Sequence, residues 1–112
     1  MASTEPLEVD VATVRQWLEA RPDVALVDCR EPAEFEIAKI PGATLIPMSQ
    51  WADAAGQIQA LQGRHVVVHC HHGGRSLRVA RWLRENGFEN AQSMAGGIDA
   101  WSLEIDPSTP RY

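Results

Sequence analysis

The residues able to do covalent chemistry are concentrated in one run, Cys70-His71-His72-Gly73-Gly74-Arg75-Ser76. Two adjacent glycines let the backbone take angles that turn successive N–H groups toward one point. Such a concave nest binds anions. The run precedes a segment of helical pattern, and the free N–H groups at a helix start add a partial positive charge. A cysteine facing that pocket has its thiolate favoured and its pKa lowered. Arg75 contributes a permanent cation. The pattern is that of a nucleophilic thiolate beside an anionic substrate. A strand-end cysteine can also be plain core; the glycines, the arginine and the helix start separate Cys70 from that case.

Such a loop needs a scaffold, and the chain supplies alternating strand and helix patterns. Asp10 is a helix N-cap for Val11 to Ala20, with Val11, Val14, Trp17 and Leu18 as the apolar stripe. Arg21-Pro22-Asp23 breaks that helix. Val24 to Asp28, Thr44 to Ile46, Val66 to His69 and Ala91 to Met94 read as short buried strands. Pro32 opens a second helix, with Glu31 and Glu34 at its positive end, and it stops before Ile40. Gly56 and Gly63 bracket a helix containing Ile58 and Leu61. A further helix runs from about Ser76 to Asn86 and stops at Gly87. Gly97 opens the last helix, through Trp101. The expected fold is α/β: a central parallel sheet of about five short strands with helices on both faces. In such folds chemistry gathers at the carboxyl ends of strands, where Cys70 and Asp28 both fall.

The totals set limits. The 112 residues are expected to form a single domain, with a core at about 9–103 and an extended tail at 104–112. No apolar run approaches the ~18 residues of a membrane span. Met1 to Asp10 lacks the basic start and apolar block of a signal peptide, so a cytoplasmic location is expected. Cys29 and Cys70 are then free thiols. A net charge of −5 argues against nucleic-acid binding. The charge is uneven: nine of fifteen acidic residues precede position 40, and Arg75, Arg78, Arg81 and Arg84 recur every three residues.

The Cys70 loop resembles the active-site loop of rhodanese-like sulfurtransferases. Two further segments resemble that family's motifs. One is Val27-Asp28-Cys29-Arg30-Glu31-Pro32 through Glu34-Phe35, followed by Ile40-Pro41-Gly42-Ala43. The other is Gly96-Gly97-Ile98-Asp99-Ala100-Trp101. The resemblance runs from about Val9 to Trp101 in the family's order. Ala38-Lys39 departs from the Gly-His common before Ile-Pro-Gly-Ala, and Cys29 stands where valine is frequent; neither touches the nucleophile.

The resemblance implies a rhodanese-like three-layer fold and a thiosulfate sulfurtransferase working through a Cys70 persulfide. The N–H groups of residues 71 to 75 would stabilise that persulfide. Implied partners are a small anionic sulfur donor, thiosulfate or a persulfide, and a thiol or cyanide acceptor. A sulfur-relay protein is the alternative partner, with little turnover of small molecules. A third reading is an inactive interaction module, which the intact Cys70 loop opposes. No cofactor, metal, nucleic acid or membrane is implied. Cys-based phosphatases and arsenate reductases share the Cys, glycine and Arg elements, but the phosphatases place five residues between Cys and Arg. Here four residues separate Cys70 from Arg75. Similarity to the rhodanese-like family implies that this shorter loop surrounds one sulfur atom on Cys70, and phosphate hydrolysis would also need a general acid.

The supporting residues carry two readings each. Arg75 either binds the anionic donor or braces the loop. Arg78, Arg81 and Arg84 form either a solvated face or a surface that steers thiosulfate or docks an acidic partner. His71 and His72 either bond donor oxygens or serve through their backbone. His65 and His69 read as structural, and a zinc site among the histidines would block the thiolate. Asp28 and Arg30 are implied to hold the site region together. Cys29 alternates with Asp28 along the strand, so its side chain faces the other way. It is read as a core thiol, with a resolving cysteine as the alternative. The tryptophans are read as packing and groove-rim residues.

Overall fold

The computed structural model describes residues 6–112. Part of the segment read as lacking a leader, Met1 to Glu5, lies outside the described residues. Five parallel strands form one sheet: β1 (Glu8–Val9), β2 (Val24–Asp28), β3 (Thr44–Leu45), β4 (His65–His69) and β5 (Gln92–Met94). Their spatial order is β1-β5-β4-β2-β3. Helices α1 (Val11–Ala20), α2 (Pro32–Ile37), α3 (Ala55–Gln59) and α4 (Gly74–Glu85) connect the strands, with a 3-10 helix at Met48–Asp53, and α5 (Gly97–Glu104) follows β5. The α/β architecture matches the expectation. Among the described residues no helix is long and apolar enough to cross a membrane.

The central strands show why their sequence is apolar without interruption. Every residue of β2 and β4 is buried, and alternate side chains serve opposite layers. Ala25, Val27, Cys29, Val66, Val68 and Cys70 pack toward Ile58, Val79 and Leu83 of α3 and α4. Val24, Leu26, Val67 and Met94 pack toward Val11 and Val14 of α1 and Ile98 and Trp101 of α5. The register pairs Asp28 with His69, so the next residues, Cys29 and Cys70, leave the sheet side by side. The alternation expected for Cys29 holds. The face opposite Asp28 is the one that carries Cys70.

Several local boundaries follow from capping. Asp10 accepts from the Thr13 N–H at 2.8 Å and starts α1, a cap worth about 1 kcal/mol. Glu31 and Glu34 form a reciprocal capping box at α2. Other expectations are corrected. The helix expected between Gly56 and Gly63 forms as α3 over Ala55–Gln59, with Ile58 in it, Gly56 inside rather than at its edge, and Leu61 beyond its end. Helix α4 begins at Gly74, not near Ser76, because Gly73 takes a left-handed φ of 115° and serves as its N-cap. Residues after Glu104 do not extend away. Ser102 donates to the Thr109 carbonyl at 2.6 Å, and Arg111 pairs with Asp99 at 2.8 Å. The chain is thereby brought back to α2 at Tyr112.

Candidate functional site

Cys70 emerges from β4, the loop turns at Gly73, and α4 starts. Its Sγ accepts from the Gly73 N–H at 3.0 Å and the Ser76 N–H at 3.4 Å. These are the N-cap and third positions of α4, whose cap has no side-chain acceptor of its own. The sulfur therefore occupies the place a capping oxygen would take. The Ser76 hydroxyl lies 3.4 Å from Sγ and 2.7 Å from the Ser93 hydroxyl. Of the N–H donors expected from residues 71 to 75, only Gly73 bonds the sulfur directly; Ser76 supplies the second. Among the described residues, the N–H groups of His71, His72, Gly74 and Arg75 take no protein acceptor.

The electrostatics favour the thiolate. The Cys29 thiol beside it is the largest influence, followed by Ser76 and Gly73 against the opposing effect of burial; the Cys70 pKa is lowered to about 4. The same contact and burial push the Cys29 thiol up. One sulfur thus carries the charge and the other keeps the proton. Both cysteines are free and buried.

The third motif braces the loop from behind. The Ile98 N–H donates to the Cys70 carbonyl at 2.9 Å and the Asp99 N–H to the His71 carbonyl at 3.1 Å. Those bonds hold the loop carbonyls toward α5. Gly97 has φ +60°, and a Cβ there would lie 2.4 Å from the Cys70 oxygen and 2.5 Å from the His71 oxygen. Only glycine permits this approach.

Beside the loop, Arg30 is fully buried. Its Nη2 donates to Asp28 Oδ2 at 2.6 Å and also to the Ala38 carbonyl, and its Nη1 donates to the Tyr112 hydroxyl at 2.9 Å. Arg75 does not point into the loop. Its guanidinium meets Glu34 bidentately at 2.6 and 2.9 Å, and the Tyr112 hydroxyl donates to the same carboxylate at 2.7 Å. Arg75, the Tyr112 hydroxyl and the Glu31 N–H hold the Glu34 carboxyl down to about 2. Of the two readings for Arg75, the contacts are those of a brace.

The histidines divide. His71 stacks between His72 and Tyr112, with centroid separations of 3.9 Å on each side. His65 bonds Gln92 at 2.7 Å at the far end of β4. His69 is fully buried with Nε2 3.7 Å from Asp28, and burial pushes its pKa down. Ligand atoms of His71, His72 and Asp99 lie within 4.8 Å of one another, but Asp99 already pairs with the Arg111 guanidinium. Sequence reasoning missed three participants. In the sequence Glu34 reads as a helix-start acid within a motif-like segment, Tyr112 carries no local signal, and the contact of Cys29 with Cys70 depends on strand register.

Residues 10–104 match the family model described as Rhodanese-like domain. The chain is 41% identical over 92 residues to Rhodanese-like/PpiC domain-containing protein 12, chloroplastic, of Arabidopsis thaliana; these cover 80% of this chain but only 31% of that protein. It is 35% identical over 95 residues to a sulfurtransferase of Allochromatium vinosum, covering 85% of this chain and 87% of that one. The solved human single-domain sulfurtransferase TSTD1 superposes with a TM-score of 0.76 at 25% identity, covering 89% of this chain and 98% of that one.

Proposed function

The chain belongs to the rhodanese-like domain family, and from that premise we propose that it transfers sulfane sulfur through a persulfide on Cys70. Sulfurtransferases are among its relatives. The observation that carries the finer reading is the pair of α4 N–H groups directed at Cys70 Sγ, from Gly73 and Ser76.

The Cys70 thiolate attacks the outer sulfur of thiosulfate. A Cys70 S–S bond forms, the sulfur–sulfur bond of thiosulfate breaks, and sulfite leaves with the electron pair. The result is a Cys70 persulfide anion. Its terminal sulfur extends one atom into the loop, where the N–H groups of His71, His72, Gly74 and Arg75 take no protein acceptor. They are suited to hold the anion, as an oxyanion hole holds oxygen. A cyanide ion or thiolate then attacks that terminal sulfur, and Cys70 leaves as thiolate. The cycle is ping-pong and needs no net proton.

Asp28 and Arg30 hold the floor beside the loop, and Glu34 fixes Arg75. Phosphate hydrolysis fits less well, because Arg75 is occupied by Glu34. The reading is tested by steady-state kinetics with thiosulfate and cyanide. Parallel double-reciprocal plots and loss of thiocyanate formation in Cys70→Ser are expected. Intersecting plots, or turnover that survives the substitution, would refute it.

A further inference from the structure

The arginine stripe of α4 separates into two classes. Arg75 pairs with Glu34, and Arg84 donates to the carbonyls of Ala91 and Pro6. Arg78 and Arg81 are exposed and, among the described residues, make no hydrogen bond, ion pair or ring contact. Every other Lys or Arg has a partner: carboxylates for Arg15, Arg21, Arg30 and Arg111, carbonyls for Arg64, and the Phe35 ring for Lys39. Two unpaired cations stand out in a chain of net charge −5.

Arg78 lines an apolar groove of ≈ 260 Å³ with Met48, Trp51, Val79 and Trp82, and Arg81 immediately precedes Trp82 on α4. Trp51 is its fixed wall, since its Nε1 donates to the Ile46 carbonyl at 2.8 Å. Trp82 is the outer wall, 44% exposed, meeting Trp51 edge-on with centroids 5.7 Å apart at 79°. An exposed tryptophan beside arginine has the composition of an interface anchor, not of ordinary surface. The groove starts next to the reactive loop. The Met48 N–H donates to the Cys29 carbonyl at 2.9 Å, and Arg78 follows Arg75 by one turn of α4.

We propose that this groove docks an acidic peptide segment of a protein sulfur donor or acceptor, with an apolar side chain packed against the Trp51–Trp82 pair and carboxylates on Arg78 and Arg81. The proposal rests on Cys70 as the sulfur carrier. Charge complementarity selects the occupant: among the described residues the one charged side chain that lines the groove is the unpaired Arg78, and Arg81 follows it by three residues on α4. Spacing selects its form. Cys70 Sγ sits at the N-cap of α4, Gly73, and Trp82 lies nine residues beyond Gly73, about 14 Å along the helix axis. About four residues of extended chain cover that distance. The partner's reacting cysteine is thus placed about four residues from its apolar anchor.

Two synthetic peptides test this, each with a leucine four residues before a cysteine. In one the leucine is flanked by glutamates, in the other by lysines. Calorimetric titration into the Cys70→Ser protein is expected to find the acidic peptide bound at least about tenfold more tightly, with affinity falling as salt rises. Arg78→Glu with Arg81→Glu reverses that preference. Trp82→Ala weakens the acidic peptide about tenfold and keeps the charge preference. Circular dichroism confirms that these surface variants are folded. Equal binding of both peptides, or a preference unchanged by the charge reversal, overturns the proposal. The titration needs no sulfur loading, so its failure is distinct from failure of persulfide formation. In the wild type loaded with sulfur, transfer to the acidic peptide exceeds transfer to the basic one, while transfer to dithiothreitol is the same in Arg78→Glu/Arg81→Glu; a double variant equally fast toward the acidic peptide would also overturn it.

Discussion

The carboxyl ends of β4 and β2 lie side by side, yet they handle buried charge in opposite ways. At the end of β4, the Cys70 sulfur is met by N–H dipoles and a neighbouring thiol, with Arg75 turned away toward Glu34. At the end of β2, the Arg30 cation is met by the Asp28 carboxylate, two carbonyls and a phenol. The first centre can gain and lose charge, because backbone dipoles stay in place whatever the sulfur carries. The second cannot, because removing either ion strands the other in the core. Reactivity and rigidity are thus assigned to adjacent strands by the kind of partner each charge is given.

The sharpest way to break this contrast is Arg30→Leu. It leaves Asp28 buried without its cation, and a loss of about 3–5 kcal/mol in urea unfolding is expected. Cys70→Ser is its counterpart. It should abolish sulfur transfer yet shift unfolding by no more than about 1 kcal/mol. Equal stability costs for the two would erase the distinction.

Gly97→Ala acts on the Cys70 loop from the side of α5. Its Cβ meets the Cys70 and His71 carbonyl oxygens at 2.4 and 2.5 Å. A loss on the order of 2–3 kcal/mol is expected, with sulfur transfer reduced beyond the stability effect. Wild-type transfer in this variant would mean that the brace from α5 does not shape the loop.

Smaller effects sharpen the electrostatics. Cys29→Val removes the largest influence lowering the Cys70 pKa, so the pH midpoint of iodoacetamide alkylation should rise above about 4. An unchanged midpoint would assign the lowering to the loop alone. Glu34 is held at about 2 against an ordinary value of 4.5. Its contribution is therefore complete above 4.5 and is lost as pH falls through that window toward 2. The stability gap between wild type and Glu34→Gln should close over the same range, as followed by urea melts. A gap constant with pH would show that Glu34 acts by packing.

Legibility in the sequence followed the range of the interactions. Helix α1 and strand β2 fall where the pattern puts them, because an Asp10 cap and an unbroken apolar run are local signals. The Cys70 loop was legible for the same reason. Strand β1 has two residues, too few for a period to register. The Met48–Gln59 region divides because Ala54, buried in the α3 and α4 layer, separates two short helices. Cys29 meets Cys70 only through the pairing of β2 with β4. Tyr112 reaches Glu34 across 78 positions, which no spacing rule foretells. The roles of Arg75 and Arg78 separate only once Glu34 is seen beside one and not the other.

The persulfide at Cys70 is tested most directly by intact-protein mass spectrometry after incubation with thiosulfate. A gain of one sulfur atom is expected, removed by cyanide and absent from Cys70→Ser. No gain in the wild type, or a gain that persists in Cys70→Ser, would contradict it.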